Sequence, residues 1–212
     1  MISVYDIQVQ GSRLLHKDEF LNSLPSADTP YYSFLYHITQ HLILSKMAAM
    51  SDFVTFNVLI LGVYRGVDMA HVAQAMKDLN ADEDSTEFSV VGIDIQETDE
   101  AVDVYELYSD YIDYISGVSS IDSSVEKELS SVYESFDIIF FDSLHERQHL
   151  EKELDIWLKY TKDSCVLLFD DVQLDNMDAA IRKIDGVYIP LNHLHTTHGF
   201  AAVVINRGSS NG

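Results

Sequence analysis

The sequence predicts an α/β fold: a doubly wound, mostly parallel seven-stranded sheet with helices on both faces and an antiparallel C-terminal strand. Three observations carry this. Short continuous apolar runs alternate with segments of helical period, as a parallel sheet buried on both faces requires. Gly62, Asp94, Gly117, Asp142 and the pair Asp170/Asp171 stand at or just past the ends of those runs. The 212 residues are 47% hydrophobic and 11% aromatic, which supplies the core of one domain.

The elements follow in order. The chain up to about Met50 reads as an N-terminal helical segment (1–50) packing on the core. In TPYYSFLYHITQHLILSKMAAM, Pro30 stands near a helix start, and Phe34, Leu35, Ile38, Leu42 and Ile43 recur at helical spacing. The main domain spans 51–206. FNVLIL (56–61), ended by Gly62, reads as a buried strand and VDMAHVAQAMKDLN (67–80) as a helix. FSVVGIDI (88–95) is a strand, ETDEAVDVYELYS (97–109) a helix and DYIDYISG (110–117) a strand. SSVEKELSSVYES (123–135) is helical, FDIIFFD (136–142) a strand, ERQHLEKELDIWLKYT (146–161) a helix and SCVLLFDD (164–171) a strand. A short helix around NMDAAIRKI (176–184) precedes two closing strands, GVYIPL (186–191) and GFAAVVIN (199–206). Residues 207–212 read as a disordered tail.

Charge narrows the partners. With 35 acids against 13 Lys+Arg the formal net charge is −22, a field that repels phosphate backbones and argues against nucleic acid. The acids of NADEDSTE (80–87) and QETDEAVDVYELYSDYID (96–113) read mostly as solvated faces. No apolar run approaches the ~20 residues that span a bilayer. The N-terminus lacks the basic-then-apolar pattern of a secretory signal. The expectation is a cytoplasmic protein, with no membrane partner and with homo-oligomerisation open. Cys165 is the single cysteine and, inside CVLLF, reads as a core thiol.

In such sheets ligands bind at the carboxyl ends of the strands. LILGVYRGVDMAHVA (59–73) is a strand, a glycine turn and a helix. Gly62 and Gly66 allow a tight turn and close ligand approach, although a purely structural turn suits them equally. The following helix N-terminus favours an anionic group. The motif is not GxGxxG, so a dinucleotide site has weak support. Asp94, ending the second strand of the domain, stands where doubly wound nucleotide folds hold ribose hydroxyls. Asp142, Asp170 and Asp171 end two strands separated by one helix, which predicts adjacent strands. Three acids there repel one another unless a cation joins them, and hard oxygen donors suit Mg2+. Capping and turn formation explain one such acid more readily than three. SLHE (143–146) matches a capping box with Ser143 as N-cap and Glu146 at N3, which places His145 in the first helical turn as a candidate general base. His149, one turn further, reads as solvated. NHLHTTHG (192–199) reads as a loop lining the substrate pocket, without the cysteines or spacing of a zinc site.

These residues resemble a known family. LGVYRG … VVGIDIQ … FDIIFFDSLHERQHLEKELDIWL … CVLLFDDV, across about 56–172, is similar to the class I S-adenosylmethionine-dependent methyltransferases with their Rossmann-like fold. The closest likeness is to the metal-dependent O-methyltransferases of the macrocin and mycinamicin sugar type and the cephalosporin-biosynthesis and rhamnosyl type. Catechol O-methyltransferase is a more distant likeness. The resemblance implies an S-adenosylmethionine site at Gly62, Tyr64, Gly66, Asp94, Ile95, Gly117, Val118, Ser119 and Asp142, with Asp94 on the ribose. It implies a divalent cation, Mg2+ by expectation, on Asp142, Asp170 and Asp171, with His145 as base. Two positions depart from the family: Ile60 and Val118 replace acids, and Ser119 or Ser120 is the candidate substitute near the adenine.

The chemistry implied is O-methylation of a small hydroxylated acceptor: a sugar, a polyol or a catechol-like ring. Tyr31, Tyr32, Tyr36 and the loop 173–179 are candidates for shaping its pocket. Two other classes stay open. One is a cofactor-binding protein of this fold without catalysis, suggested by Ile60 and Val118. The other is a different nucleotide- or sugar-phosphate-binding α/β enzyme, which the missing GxGxxG and P-loop patterns disfavour.

Overall fold

The structure, a computed structural model, describes residues 2, 30–50, 53–79 and 86–208. Most of the N-terminal segment, part of the acidic stretch 80–87 and the last four residues lie outside the described residues. The elements are α1 (Pro30–Ala49), β1 (Val54–Leu61), α2 (Val67–Lys77), β2 (Thr86–Asp94), α3 (Asp99–Leu107), β3 (Ile112–Ser116) and α4 (Ser123–Val132). They continue with β4 (Phe136–Phe141), α5 (Arg147–Trp157), β5 (Thr161–Asp170), α6 (Asp178–Ile181), β6 (Val187–Pro190) and β7 (Phe200–Asn206).

The sheet has seven strands in the order β3-β2-β1-β4-β5-β7-β6. β1 to β5 pair in parallel, and β7 runs antiparallel to both β5 and β6. The chain winds outward from β1 first to β3, then back through β4 to the other edge. The carboxyl ends of β1 and β4 therefore flank the switch point, where open α/β sheets bind ligands.

Alternation along the central strands assigns the two faces. Val58 and Ile60 of β1 face a core built with α1 and α2, which also takes Ala101 and Val104 of α3. Leu59 and Leu61 face a second core with Val125 and Leu129 of α4, Leu150, Leu154 and Trp157 of α5, and Ile181 of α6. α1 begins at Pro30, and the apolar residues picked for its inner face are all buried. Cys165 is fully buried within β5, as expected of a core thiol.

At the pole opposite the switch point, buried Asp137 of β4 accepts from Lys46 Nζ of α1 at 2.8 Å and Lys162 Nζ of β5 at 2.6 Å. It also accepts the backbone N–H of Asn57 at 3.0 Å. This tie fixes α1 against three strands. Arg207, in the expected tail, donates its backbone N–H to Asp163 O.

The start of α5 differs from the expected capping box. The helix begins at Arg147, after an extended Glu146 that makes no side-chain cap. Ser143 instead donates its hydroxyl to Glu153 Oε1 at 2.6 Å. The open end is closed from another loop, where Asp175 Oδ2 accepts Arg147 N–H at 2.9 Å. His145 consequently lies in the extended segment before the helix, not in its first turn.

Candidate active site

A cavity of about 510 Å3 opens over the carboxyl ends of β1, β2, β4 and β5. Its size falls within the ~300–1,000 Å3 of small-molecule and cofactor pockets. One end is the glycine loop after β1. Gly62 has φ 91°, and a Cβ there would stand 2.1 Å from the Asp142 carbonyl oxygen. The position therefore excludes every side chain. Asp94 shapes the same loop: its Oδ2 accepts the N–H groups of Val63 and Tyr64 at 2.7 Å each, and its Oδ1 accepts Gln96 N–H at 2.8 Å.

Gly62, Tyr64, Asp94, Ile95, Ser119 and Asp142 line this cavity. Gly66, Gly117 and Val118 do not, and each has another task. Gly66 caps α2 in the left-handed region, with Ala101 and Val104 closely packed against it. Gly117 turns the chain after β3 with φ 76° and open space where a side chain would be. Val118 packs on the second core and donates its N–H to Asp94 O. Ile60 is fully buried in the first core.

At the other end of the cavity Asp142, His145 and Asp170 line the wall and belong to a cluster of carboxylates and imidazoles that extends past the wall to Asp171 and His195. The parallel pairing of β4 with β5 brings Asp142 beside Asp170 and Asp171, as the strand-end spacing predicted. The His145 ring lies between two of these acids, with Nε2 3.2 Å from Asp142 Oδ1 and Nδ1 2.9 Å from Asp171 Oδ2. His195, from the β6–β7 loop, places Nδ1 2.7 Å from Asp170 Oδ1 and 3.4 Å from Asp171 Oδ1. Among the described residues, the group whose donor atoms all lie within 4.8 Å of one another is Asp170, Asp171 and His195. Of the expected ligand set, Asp170 and Asp171 fall in that group, and Asp142 adjoins it through His145. From NHLHTTHG, expected to line the substrate pocket, the structure brings His195 into this group.

Burial sets the electrostatics of the cluster. Burial raises the Asp142 carboxyl to about 7; the His145 hydrogen bond opposes the rise, and Asp170 and Asp171 add to it. Burial likewise raises Asp170, against the pull of His195. The hydrogen bond to Asp142 raises His145 above the ordinary histidine value. Asp171 Oδ1 and Asp68 Oδ1 are buried without a hydrogen-bond partner. A buried carboxylate oxygen without a hydrogen bond is costly, and the oxygens of Asp170 and Asp171 beside His195 fit a divalent cation.

Residues 59–172, more than half of the chain, match the family described as a methyltransferase domain. The chain belongs to this family. No curated protein matches the sequence. Among solved structures, the O-methyltransferase from Bacillus cereus in complex with SAH is 18% identical at TM-score 0.62, over 94% of this chain and 96% of that one. TomG from Streptomyces achromogenes, an O-methyltransferase of tomaymycin synthesis in complex with SAM, is 14% identical at TM-score 0.61, over 95% and 96%. CalS11, a TDP-rhamnose 3'-O-methyltransferase of calicheamicin biosynthesis, is 12% identical at TM-score 0.57, over 96% of each chain. At these identities the likeness shows the methyltransferase fold expected from the sequence.

This methyltransferase domain also brings to its cavity residues outside the expected cofactor and metal sets. Asp68, in the first turn of α2, is buried on the cavity wall, and burial together with Asp142 and Asp170 raises its pKa well above the usual carboxylate range. Its only sequence signal was an acid two residues past the second glycine. His149, expected in solvent, lies on the cavity wall with Nε2 3.2 Å from Ser120 Oγ and 3.3 Å from Glu153 Oε1. Glu153 is 1% exposed and also accepts the Ser120 and Ser143 hydroxyls. Tyr31 and Tyr32 of α1 form an aromatic wall, Tyr31 stacked on Phe200 and Tyr32 on His71. Tyr36, the third candidate, turns away to donate to Asp78 Oδ2 at 2.5 Å.

Proposed function

We propose that this protein transfers the methyl group of S-adenosylmethionine to a hydroxyl of a small acceptor, assisted by a divalent cation. The observation that carries the reading is the single cavity. It joins a glycine loop pinned by a strand-end acid to Asp142, His145 and Asp170, which adjoin Asp171 and His195. The O-methyltransferases that share the fold, with SAH or SAM bound in two of them, support both the cofactor and the reaction.

In this reading the ribose sits over Asp94, whose oxygens keep acceptor capacity beyond their bonds to the loop. Tyr64, Ile95 and Ser119 border the nucleoside. The acids Asp68 and Asp142 face the cationic, methionine end. Asp170 and Asp171 hold the cation, with Asp142 adjoining; Mg2+ is the ion expected from the resemblance. When bound, S-adenosylmethionine supplies an electrophilic methyl group and the cation lowers the pKa of a coordinated hydroxyl. His145 would take the hydroxyl proton on the ring nitrogen released when its acid turns to the bound cation, and the acid that stays on the other nitrogen would orient the ring and stabilise the imidazolium. Tyr31 and Tyr32 position the acceptor and exclude water, and positioning of this kind is worth up to ~7–11 kcal/mol.

Acceptors are sugars, polyols or catechol-like rings in the cytoplasm, and the −22 charge disfavours nucleic acid. Among the described residues no helix is long and apolar enough to cross a membrane. The reading without catalysis rested on Ile60 and Val118, and neither side chain lines the cavity. Calorimetric titration of S-adenosylmethionine with and without Mg2+, followed by transfer of labelled methyl to a panel of such acceptors, tests the proposal. Absence of S-adenosylmethionine binding by the folded protein overturns it.

A further inference from the structure

We propose that His195 is a nitrogen ligand of the cation site, so that the site selects first-row transition ions over Mg2+. This rests on the cation reading above and adds the identity of the donors and hence of the ion.

His195 Nδ1 is hydrogen-bonded to Asp170 Oδ1 in the metal-free structure, and the spacing also suits co-ligands once that nitrogen is deprotonated. Two cis ligands on bonds of ~2.1 Å stand about 3.0 Å apart in an octahedron. His195 Nδ1 lies 2.7 Å from Asp170 Oδ1 and 3.4 Å from Asp171 Oδ1, values on either side of that edge. Asp171 Oδ1 supplies an independent observation. It is buried, it makes no hydrogen bond, and its carboxylate side chain is only 10% exposed. A buried anionic oxygen facing a ring nitrogen without bonding to it has the place of a donor awaiting a shared acceptor. The backbone is committed to the arrangement: Asp171 is held at φ 52°, in the left-handed region. Its loop is joined to that of His195 through Gln173 N–H on His198 O at 2.8 Å. Gly199, at φ 82°, packs against Gln173 and donates its N–H to His195 O.

Imidazole changes the selectivity of a site. Carboxylate and water donors suit Mg2+; one neutral imidazole shifts the preference toward iron, nickel, copper or zinc, and Mn2+, which also accepts oxygen donors, serves as the spectroscopic probe. His195 belongs to the mutually close group with Asp170 and Asp171, which places a nitrogen donor among the expected oxygen ligands.

The test is Mn2+ binding to the full chain, followed by pulsed electron paramagnetic resonance. The expected result is 14N hyperfine coupling in the parent protein, its loss in His195→Ala and His195→Gln, and its retention in His198→Ala. A direct ligand costs at least the ~10–100-fold in affinity that an outer-shell partner does, so both His195 variants bind Mn2+ at least 10-fold more weakly. Mg2+ displaces Mn2+ poorly from the parent and more readily from the variants. Mn2+ bound without nitrogen coupling, or coupling lost only in His145→Ala, overturns the assignment of His195 and leaves the cation reading standing. No Mn2+ bound at all, with S-adenosylmethionine still binding, overturns both while sparing the cofactor site.

Discussion

At the residue scale, the site separates into positions whose role is local and positions whose role is assembled. Gly62 and Asp94 were legible in the sequence because a glycine after an apolar run and an acid ending the next one are local patterns. The structure adds that Gly62 is demanded by the Asp142 carbonyl, 2.1 Å from any Cβ. Gly62→Ala combines left-handed strain with a backbone clash, together about 2–5 kcal/mol, and urea unfolding measures the loss. Asp68 was not legible as a site residue, and His195 was legible only as part of a loop expected to line the substrate pocket. Each becomes one only when a helix or a distant loop is laid on the strand ends. His145 was found by spacing although its local structure was wrong. His145→Ala is expected to lower kcat by ~10²–10⁴-fold with S-adenosylmethionine affinity nearly intact, as single-turnover assay and calorimetry would show. His149→Ala disturbs the Ser120–Glu153 contacts and so weakens cofactor binding more than it slows the chemistry. If the two variants exchange these signatures, the base has been misassigned.

At the element scale, the alternation of apolar runs and helical periods located every strand to within a few residues, because central strands buried on both faces carry an unambiguous pattern. Helix starts were less legible. SLHE has the letters of a capping box, yet the Ser143 hydroxyl is captured by a buried acid ten residues on, and the cap arrives from Asp175. A local motif lost to a tertiary bond that no window of sequence contains. The same kind of bond governs α1. Its attachment at the far pole depends on Asp137 between two lysines. Asp137→Ala leaves both lysines about a fifth exposed and able to reach water, so the expected loss is a modest ~1–3 kcal/mol. Hydrogen exchange should show it concentrated in α1 and the start of β5; uniform loss across the sheet would contradict this assignment.

At the scale of the whole molecule, the charge of −22 and the raised carboxyls of the cavity act in one direction. A carboxyl raised in the folded state binds its proton more tightly there than in the unfolded chain. Stability is then unpenalised below the unfolded pKa and falls as pH climbs toward the folded value. His145, also raised, loses its contribution over the neighbouring range as pH rises through its folded pKa. In chelator, the melting temperature should therefore fall between pH 5 and pH 8, and Asp68→Asn should recover a few degrees at pH 8 and almost none at pH 4. A melting temperature that rises across that interval would show that the buried acids already have partners. The fold as a whole was readable because it rests on repeated apolar runs; the acidity announced the excess of carboxylates but not which of them are buried. One buried group turns this into something directly observable. Cys165 is the chain's only thiol, it lies in the interior of β5, and that same strand ends in Asp170. Burial raises its pKa far above that of a free cysteine, so alkylating reagents find neither access nor thiolate until β5 opens. Every molecule thus carries one built-in clock, and the rate at which reagent modifies it counts openings of the strand that carries the cluster. An ion or cofactor that truly docks there must slow that clock in proportion to its affinity, before any acceptor is known.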